Sequence, residues 1–134
     1  IPSNSTFLRW KSSSKCIEMA IRVHQREIVE VAYPMPDGSI LVHPALIISR
    51  DEIQDYEDGL FYAVLISSKN HYPELTIPIK NEWLQKPLSK NSYFVTHIIA
   101  PFTVEQVMNR YNNFIKSAYF DSLIDSIIAN VIGC

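Results

Sequence analysis

Two nearly unbroken apolar runs, Val42 to Ser49 (VHPALIIS) and Leu60 to Lys69 (LFYAVLISSK), dominate the pattern of hydrophobic and polar positions. Apolar, β-branched and aromatic side chains at consecutive positions need cover on both faces, so both runs predict core strands. Their short connection predicts an antiparallel pair, in which the head of one strand lies beside the tail of the other. His43 would then sit near Ser67, with Ser68 and Lys69 just beyond. An imidazole beside hydroxyls and a lysine is the densest chemistry in the chain.

The remaining elements follow in order. Arg26 to Tyr33 alternates polar and apolar, which predicts a half-buried strand. The turn that follows, Pro34 to Ser39 (PMPDGS), holds two prolines and an Asp-Gly pair. Pro44 brings no N–H to a ladder, so that end of the second strand should lie at an edge or bulge. Arg50 to Gly59 reads as an acidic, solvated loop. Glu74 to Ile79 predicts a short fourth strand, 80–91 a loop with a helical turn, and Ser92 to Ile99 a fifth strand. The alternation of that fifth strand puts Tyr93, Val95 and His97 on one face. Thr103 to Gln106 has capping-box spacing, so a short helix should begin at Val104. Tyr111 to Lys116 reads as a last short strand. Phe120, Leu123, Ile124, Ile127, Ile128 and Val131 recur at helical spacing and predict an amphipathic helix over 117–132, with Gly133 as its stop. The result is a mainly β fold, a small, strongly bent antiparallel sheet or partial barrel closed by a C-terminal helix.

Composition narrows the class. The chain has 134 residues, 47% hydrophobic and 19% charged, which is enough apolar material for one domain. A net charge of −2 argues against a broadly basic nucleic-acid binder. RNA held in a local cationic cleft remains compatible, since binding depends on where charge sits. Two cysteines, Cys16 and Cys134, give neither a disulfide framework nor a CxxC pair, which suits a reducing cytoplasm. The four histidines show no metal-ligand spacing, so no metal or other cofactor is expected. No run reaches the length of a membrane span. Residues 1–18 are serine-rich and lack a signal-peptide core, and Met19 follows them. They are expected to form a flexible arm or upstream extension to a single domain over 19–134, although Phe7, Leu8 and Trp10 could dock on it.

The order of these segments resembles the MazF/PemK toxins of bacterial type II toxin–antitoxin modules, over about Arg22 to Gly133. The local matches are His43-Pro44-Ala45-Leu46-Ile47-Ile48-Ser49 and Val64-Leu65-Ile66-Ser67-Ser68. The resemblance implies an SH3-like barrel and a cytoplasmic homodimer. It also implies metal-independent, sequence-specific cleavage of single-stranded RNA, and an antitoxin partner. Such cleavage uses the RNA's own 2′-OH and needs a base, a donor for phosphorane charge and an acid for the leaving oxygen. His43 falls at the family's arginine before the proline, and Ser67 at its strand-end threonine. The resemblance thus makes His43, Ser67 and His97 catalytic candidates, with Ser68, Lys69 and Arg26 as RNA contacts. Histidine carries protons near neutral pH, which arginine does not. Ala100 and Thr103 stand where some relatives carry an arginine and an aspartate.

Each residue also has a plainer role. His43 could cap a strand edge by bonding a carbonyl, His97 could be half-buried filler, and Lys69 a solvated lysine. Two other functions stay open: a toxin that poisons gyrase, as relatives on the same fold do, and a binding module that kept the barrel and lost the chemistry.

Overall fold

The computed structural model describes residues 22–70 and 72–133. The expectations for residues 1–18, including docking by Phe7, Leu8 and Trp10, lie outside the described residues, as does His71. Among the described residues, seven antiparallel strands form one folded sheet. They are β1 (Glu27–Pro34), β2 (Ile40–Ile47), β3 (Leu60–Ser67), β4 (Thr76–Pro78), β5 (Tyr93–Val95), β6 (Ala100–Thr103) and β7 (Val107–Phe114). A short helix, α1 (Ile53–Tyr56), interrupts the acidic loop, and α2 (Ser117–Ile132) ends the domain. Gly133 stops α2 in the left-handed region at φ 84°, where the absence of a Cβ removes the steric penalty. The path through the sheet is β4-β5-β3-β2-β1-β7, with β6 paired to β3.

Both faces of the central strands are covered, as the continuous apolar runs require. One core lies against α2 and gathers Ile28, Leu46, Val64, Ile66 and Phe94 with Phe120, Leu123 and Ile127. The other lies on the opposite face and gathers Val29, Val31, Ala45, Ile47, Phe61, Ala63 and Phe102. At the start of β1 Ile28 faces the first core and Val29 the second, and from Val29 on the buried Val29 and Val31 alternate with part-exposed Glu30 and Ala32, as the polar–apolar pattern suggests. Glu27 departs from that pattern and is 1% exposed.

The C-terminal half departs further from the simple pattern. The strand expected over Ser92 to Ile99 shortens to the three-residue β5, because the chain turns at Thr96, and a separate strand, β6, begins at Ala100. That residue's N–H and hydroxyl both donate to the Leu75 carbonyl, at 3.0 and 2.7 Å. Asn130 of α2 also donates to the Thr96 hydroxyl. The segment after Thr103 forms a 3₁₀ turn (Val104–Gln106) with the Thr103 N–H donating to the Gln106 side chain at 2.9 Å. The expected last strand begins earlier and becomes the eight-residue β7. Phe120, Leu123 and Ile127 of the α2 stripe are buried, but Ile128 and Val131, expected in the core, are 44% and 42% exposed.

A candidate active-site groove between the second strand and the loop after residue 84

β1 and β2 pair along their length, from Ile28↔Leu46 to Pro34↔Ile40. The β2–β3 ladder runs only over Ala45↔Leu65 to Ile47↔Ala63. It stops beside Pro44, which has no N–H to extend it. Beyond that point the two strands part, and a groove of about 620 Å³ opens. His43 and Pro44 line it from β2, and Ser67 and Ser68 from the end of β3. The antiparallel register thus brings the head of β2 and the tail of β3 to one cavity.

His43 is half-buried, and its Nδ1 lies 3.1 Å from the Pro44 carbonyl oxygen. An Nδ1–H donated there leaves Nε2 without a hydrogen-bond partner among the described residues. The carbonyl contact of the plainer reading and a place in the groove therefore coexist. The Ser67 hydroxyl oxygen accepts from the Lys69 N–H at 3.0 Å, which leaves the hydroxyl proton available for donation.

The other predicted residues are placed elsewhere. Lys69 is exposed in the turn after β3 and does not line the groove. Arg26 donates from Nη1 to the Ile115 carbonyl at 2.9 Å and lines a separate hollow with Arg22, His24 and Arg50. His97 sits in the turn between β5 and β6, not on a strand face, with its ring edge-on to Tyr72 at a centroid distance of 5.7 Å. It does not line the groove either. Ala100 and Thr103 pair with Ala63 and Leu60, toward the end of β3 remote from Ser67.

Residues that strand patterns did not reveal complete the groove. Lys86 and Lys90 line it from the loop after residue 84. That loop is clamped by buried Asn113, whose amide accepts from the Lys86 N–H and donates to the Lys86 carbonyl, both at 2.9 Å. Lys86 Nζ also donates to the Tyr111 carbonyl at 2.8 Å. Glu30 of β1 and Tyr111 of β7 line the same space. The β1–β7 register shifts between Ile28↔Asn113 and Val29↔Arg110, and Asn112 within the bulge has φ 53°. A bulge re-aims side chains, and here the Tyr111 hydroxyl donates to Glu30 Oε1 at 2.7 Å. That hydrogen bond, then burial and the Glu30 charge, raise the Tyr111 hydroxyl above the usual phenol range. Asn109 Nδ2 donates to the same Oε1 at 2.7 Å. The signal for the lysines was the pair flanking Pro87-Leu88-Ser89, whereas Glu30 and Tyr111 meet only through a bulge. Among the described residues, no group of three His, Cys, Asp or Glu is placed to hold a metal ion.

No protein-family model matches the sequence, and no curated protein sequence matches it. Solved structures do match the fold. A MazE–MazF complex from Deinococcus radiodurans superposes with a TM-score of 0.64 at 12% identity, covering 84% of this chain and 97% of that one. The chain has the MazF-type toxin fold. An endoribonuclease bound to its cognate antitoxin, from a mycobacterial species, gives 0.62 at 13% identity over 83% and 95% of the two chains. The Mycobacterium tuberculosis toxin MazF-mt6 gives 0.58 at 15% identity over 81% and 97%. The match thus covers nearly the whole length of each of these neighbours.

Proposed function

We propose that this chain is the toxin of a type II toxin–antitoxin module, an endoribonuclease that cuts single-stranded RNA at short sequences without a metal. The observation that carries the reading is the convergence of His43 and Ser67 on one groove, in a chain with the MazF-type fold. RNA carries its own nucleophile, so the protein needs to move two protons and stabilise charge on phosphorus. The Ser67 hydroxyl donates to a non-bridging phosphate oxygen, and His43 exchanges a proton at the reacting centre. Ser68 and the lysines at 86 and 90 hold the flanking phosphates, a cationic lining that the net charge of −2 conceals.

Two of the neighbouring structures are toxin–antitoxin complexes, which supports an antitoxin partner here. A cytoplasmic homodimer fits the same reading. Among the described residues no helix is long and apolar enough to cross a membrane. The exposed Ile128, Val131 and Ile132 of α2 offer apolar surface that a second copy would cover.

The test is cleavage of a randomised-sequence single-stranded RNA pool by the purified chain, with the new 5′ ends mapped. His43→Ala and Ser67→Ala should each lower the rate by about 10²-fold or more, with melting temperatures close to that of the parent chain. Full cleavage by both variants would contradict the proposal. Intact RNA with blocked supercoiling would point to a gyrase-directed toxin, and binding of RNA without cleavage to a non-catalytic module.

A further inference from the structure

One carboxylate, Glu30, lines the groove, and the chemistry proposed for His43 and Ser67 does not use it. Residues paired directly across an antiparallel ladder share a face of the sheet. Glu30 pairs with Pro44, and Ile28 with Leu46. Ile28 and Leu46 belong to the core against α2, as does Ile66 of β3, which also lines the groove. His43 pairs instead with Val31, a member of the core on the opposite face. The carboxylate and the imidazole therefore stand on different faces and do not share one phosphate. Glu30 lies where the α2-side face of the sheet emerges into the groove.

Its surroundings suit a different task. Oε1 accepts two hydrogen bonds, from Asn109 Nδ2 and the Tyr111 hydroxyl, both at 2.7 Å, whereas Oε2 accepts none among the described residues. One oxygen is anchored by β7 and the other is open. Pro44, Ile66, Pro87 and Leu88 give this space apolar walls. An ionised carboxylate only accepts hydrogen bonds, and it repels phosphates and carbonyl oxygens. What answers it in a single-stranded RNA is the donor edge of an unstacked base, the part by which such strands are read in sequence. Uracil offers one N–H flanked by two carbonyl oxygens. Adenine and cytosine set an acceptor nitrogen beside the amino group. Guanine alone places two donors, N1–H and N2–H, side by side.

We infer that this face of the groove is a guanine-binding subsite in which Glu30 Oε2 accepts the N1–H and N2–H edge, with Asn109 and Tyr111 as positioning residues for the carboxylate. This rests on the endoribonuclease reading above and adds to it one base that the bound RNA carries. Binding a base that lacks the two donors leaves the desolvated carboxylate without partners, and that loss is the source of the discrimination. The subsite needs no contact with His43, so it selects the strand and leaves the chemistry to the other face.

The experiment measures binding of the full chain to fluorescein-labelled 2′-O-methyl oligouridylates by anisotropy. These lack the nucleophile, so they stay intact. One oligomer is all uridine, one carries a single central guanosine, and one a single inosine, which keeps N1–H and lacks the N2 amino group. The guanosine should tighten binding by about tenfold or more over the all-uridine oligomer, with inosine between the two. Glu30→Gln keeps an oxygen for Asn109 and Tyr111 and puts an amino group in place of the open one. It should bring the guanosine oligomer down to the all-uridine level, while all-uridine binding is no weaker than in the parent chain. Tyr111→Phe should lose part of the discrimination with all-uridine binding unchanged, a separation that a general loss of structure would not give. Equal affinity of the parent chain for the three oligomers, no binding to any of them, or a guanosine preference that Glu30→Gln leaves intact overturns the subsite. If the chain still cuts the randomised pool, the nuclease reading survives that result. A guanosine preference that depends on Glu30, in a chain that cuts no RNA, supports the subsite and overturns the nuclease reading instead.

Discussion

At the scale of single residues, the most consequential contact outside the groove is a buried carboxylate. Glu27, 1% exposed, is held by Arg110 through Nε at 2.8 Å and Nη2 at 3.0 Å, and it also accepts the His24 N–H at 3.0 Å. Removing one partner of such a pair strands the other charge out of water. Arg110→Ala should therefore lower unfolding free energy by about 3 kcal/mol, measured by urea titration. The sequence did not reveal this, because Glu27 and Arg110 are far apart in the chain and the alternation of β1 marks Glu27 as solvent-facing. A second cluster sets acid sensitivity. Burial works against ionisation of Asp51, but the His24 side chain, the Gln25 N–H and nearby positive charge outweigh it, so its carboxyl titrates below the ordinary aspartate range. A carboxyl depressed on folding stabilises the native state above its unfolded-state pKa, and that contribution disappears as pH falls through the folded value. Asp51→Asn should flatten the loss of melting temperature between about pH 4 and lower, as read by thermal scans.

At the scale of elements, the strands with one local instruction were legible and those with a distant partner were not. The runs forming β2 and β3 announced themselves because nothing but a doubly covered strand suits so many apolar neighbours. The helix α2 followed from its period. The break between β5 and β6 was invisible, since it is made by Leu75 and Asn130 bonding Thr96. That break is why His97 leaves the strand face on which the alternation placed it. One connection rests on a single glycine. Gly59, at φ 86° before β3, would place a Cβ 2.9 Å from Val104 Cγ2. Its N–H donates to the Gln54 carbonyl and its own carbonyl accepts from the Val104 N–H. Gly59→Ala should cost about 2 kcal/mol, checked by the same urea titration, because it adds backbone strain to a contact with no room.

At the scale of the whole molecule, the candidate groove follows from where a ladder ends. β2 and β3 are cemented between two cores, and their pairing stops beside Pro44. The splayed ends give His43 and Ser67 a common cavity. Chain pattern alone sufficed to place those two together, since antiparallel pairing over a short loop leaves little choice. The lysines at 86 and 90, with Glu30 and Tyr111, needed the fold, because three separate elements deliver them. The uncovered side of α2 makes a further prediction at this scale. If a second copy covers it, Ile128→Lys should convert a dimer to a monomer in light scattering while leaving the helix content unchanged.

A nuclease of the proposed kind turns the RNA's own sugar hydroxyl against the neighbouring phosphate. End-group analysis of the products from the full chain acting on a single-stranded oligoribonucleotide tests this, alongside the same oligomer with one 2′-deoxy sugar at the cleaved step. The expected result is 2′,3′-cyclic phosphate and 5′-hydroxyl ends from the first, and no cut at that step in the second. A cut that persists at the 2′-deoxy step, or 5′-phosphate ends, would contradict it.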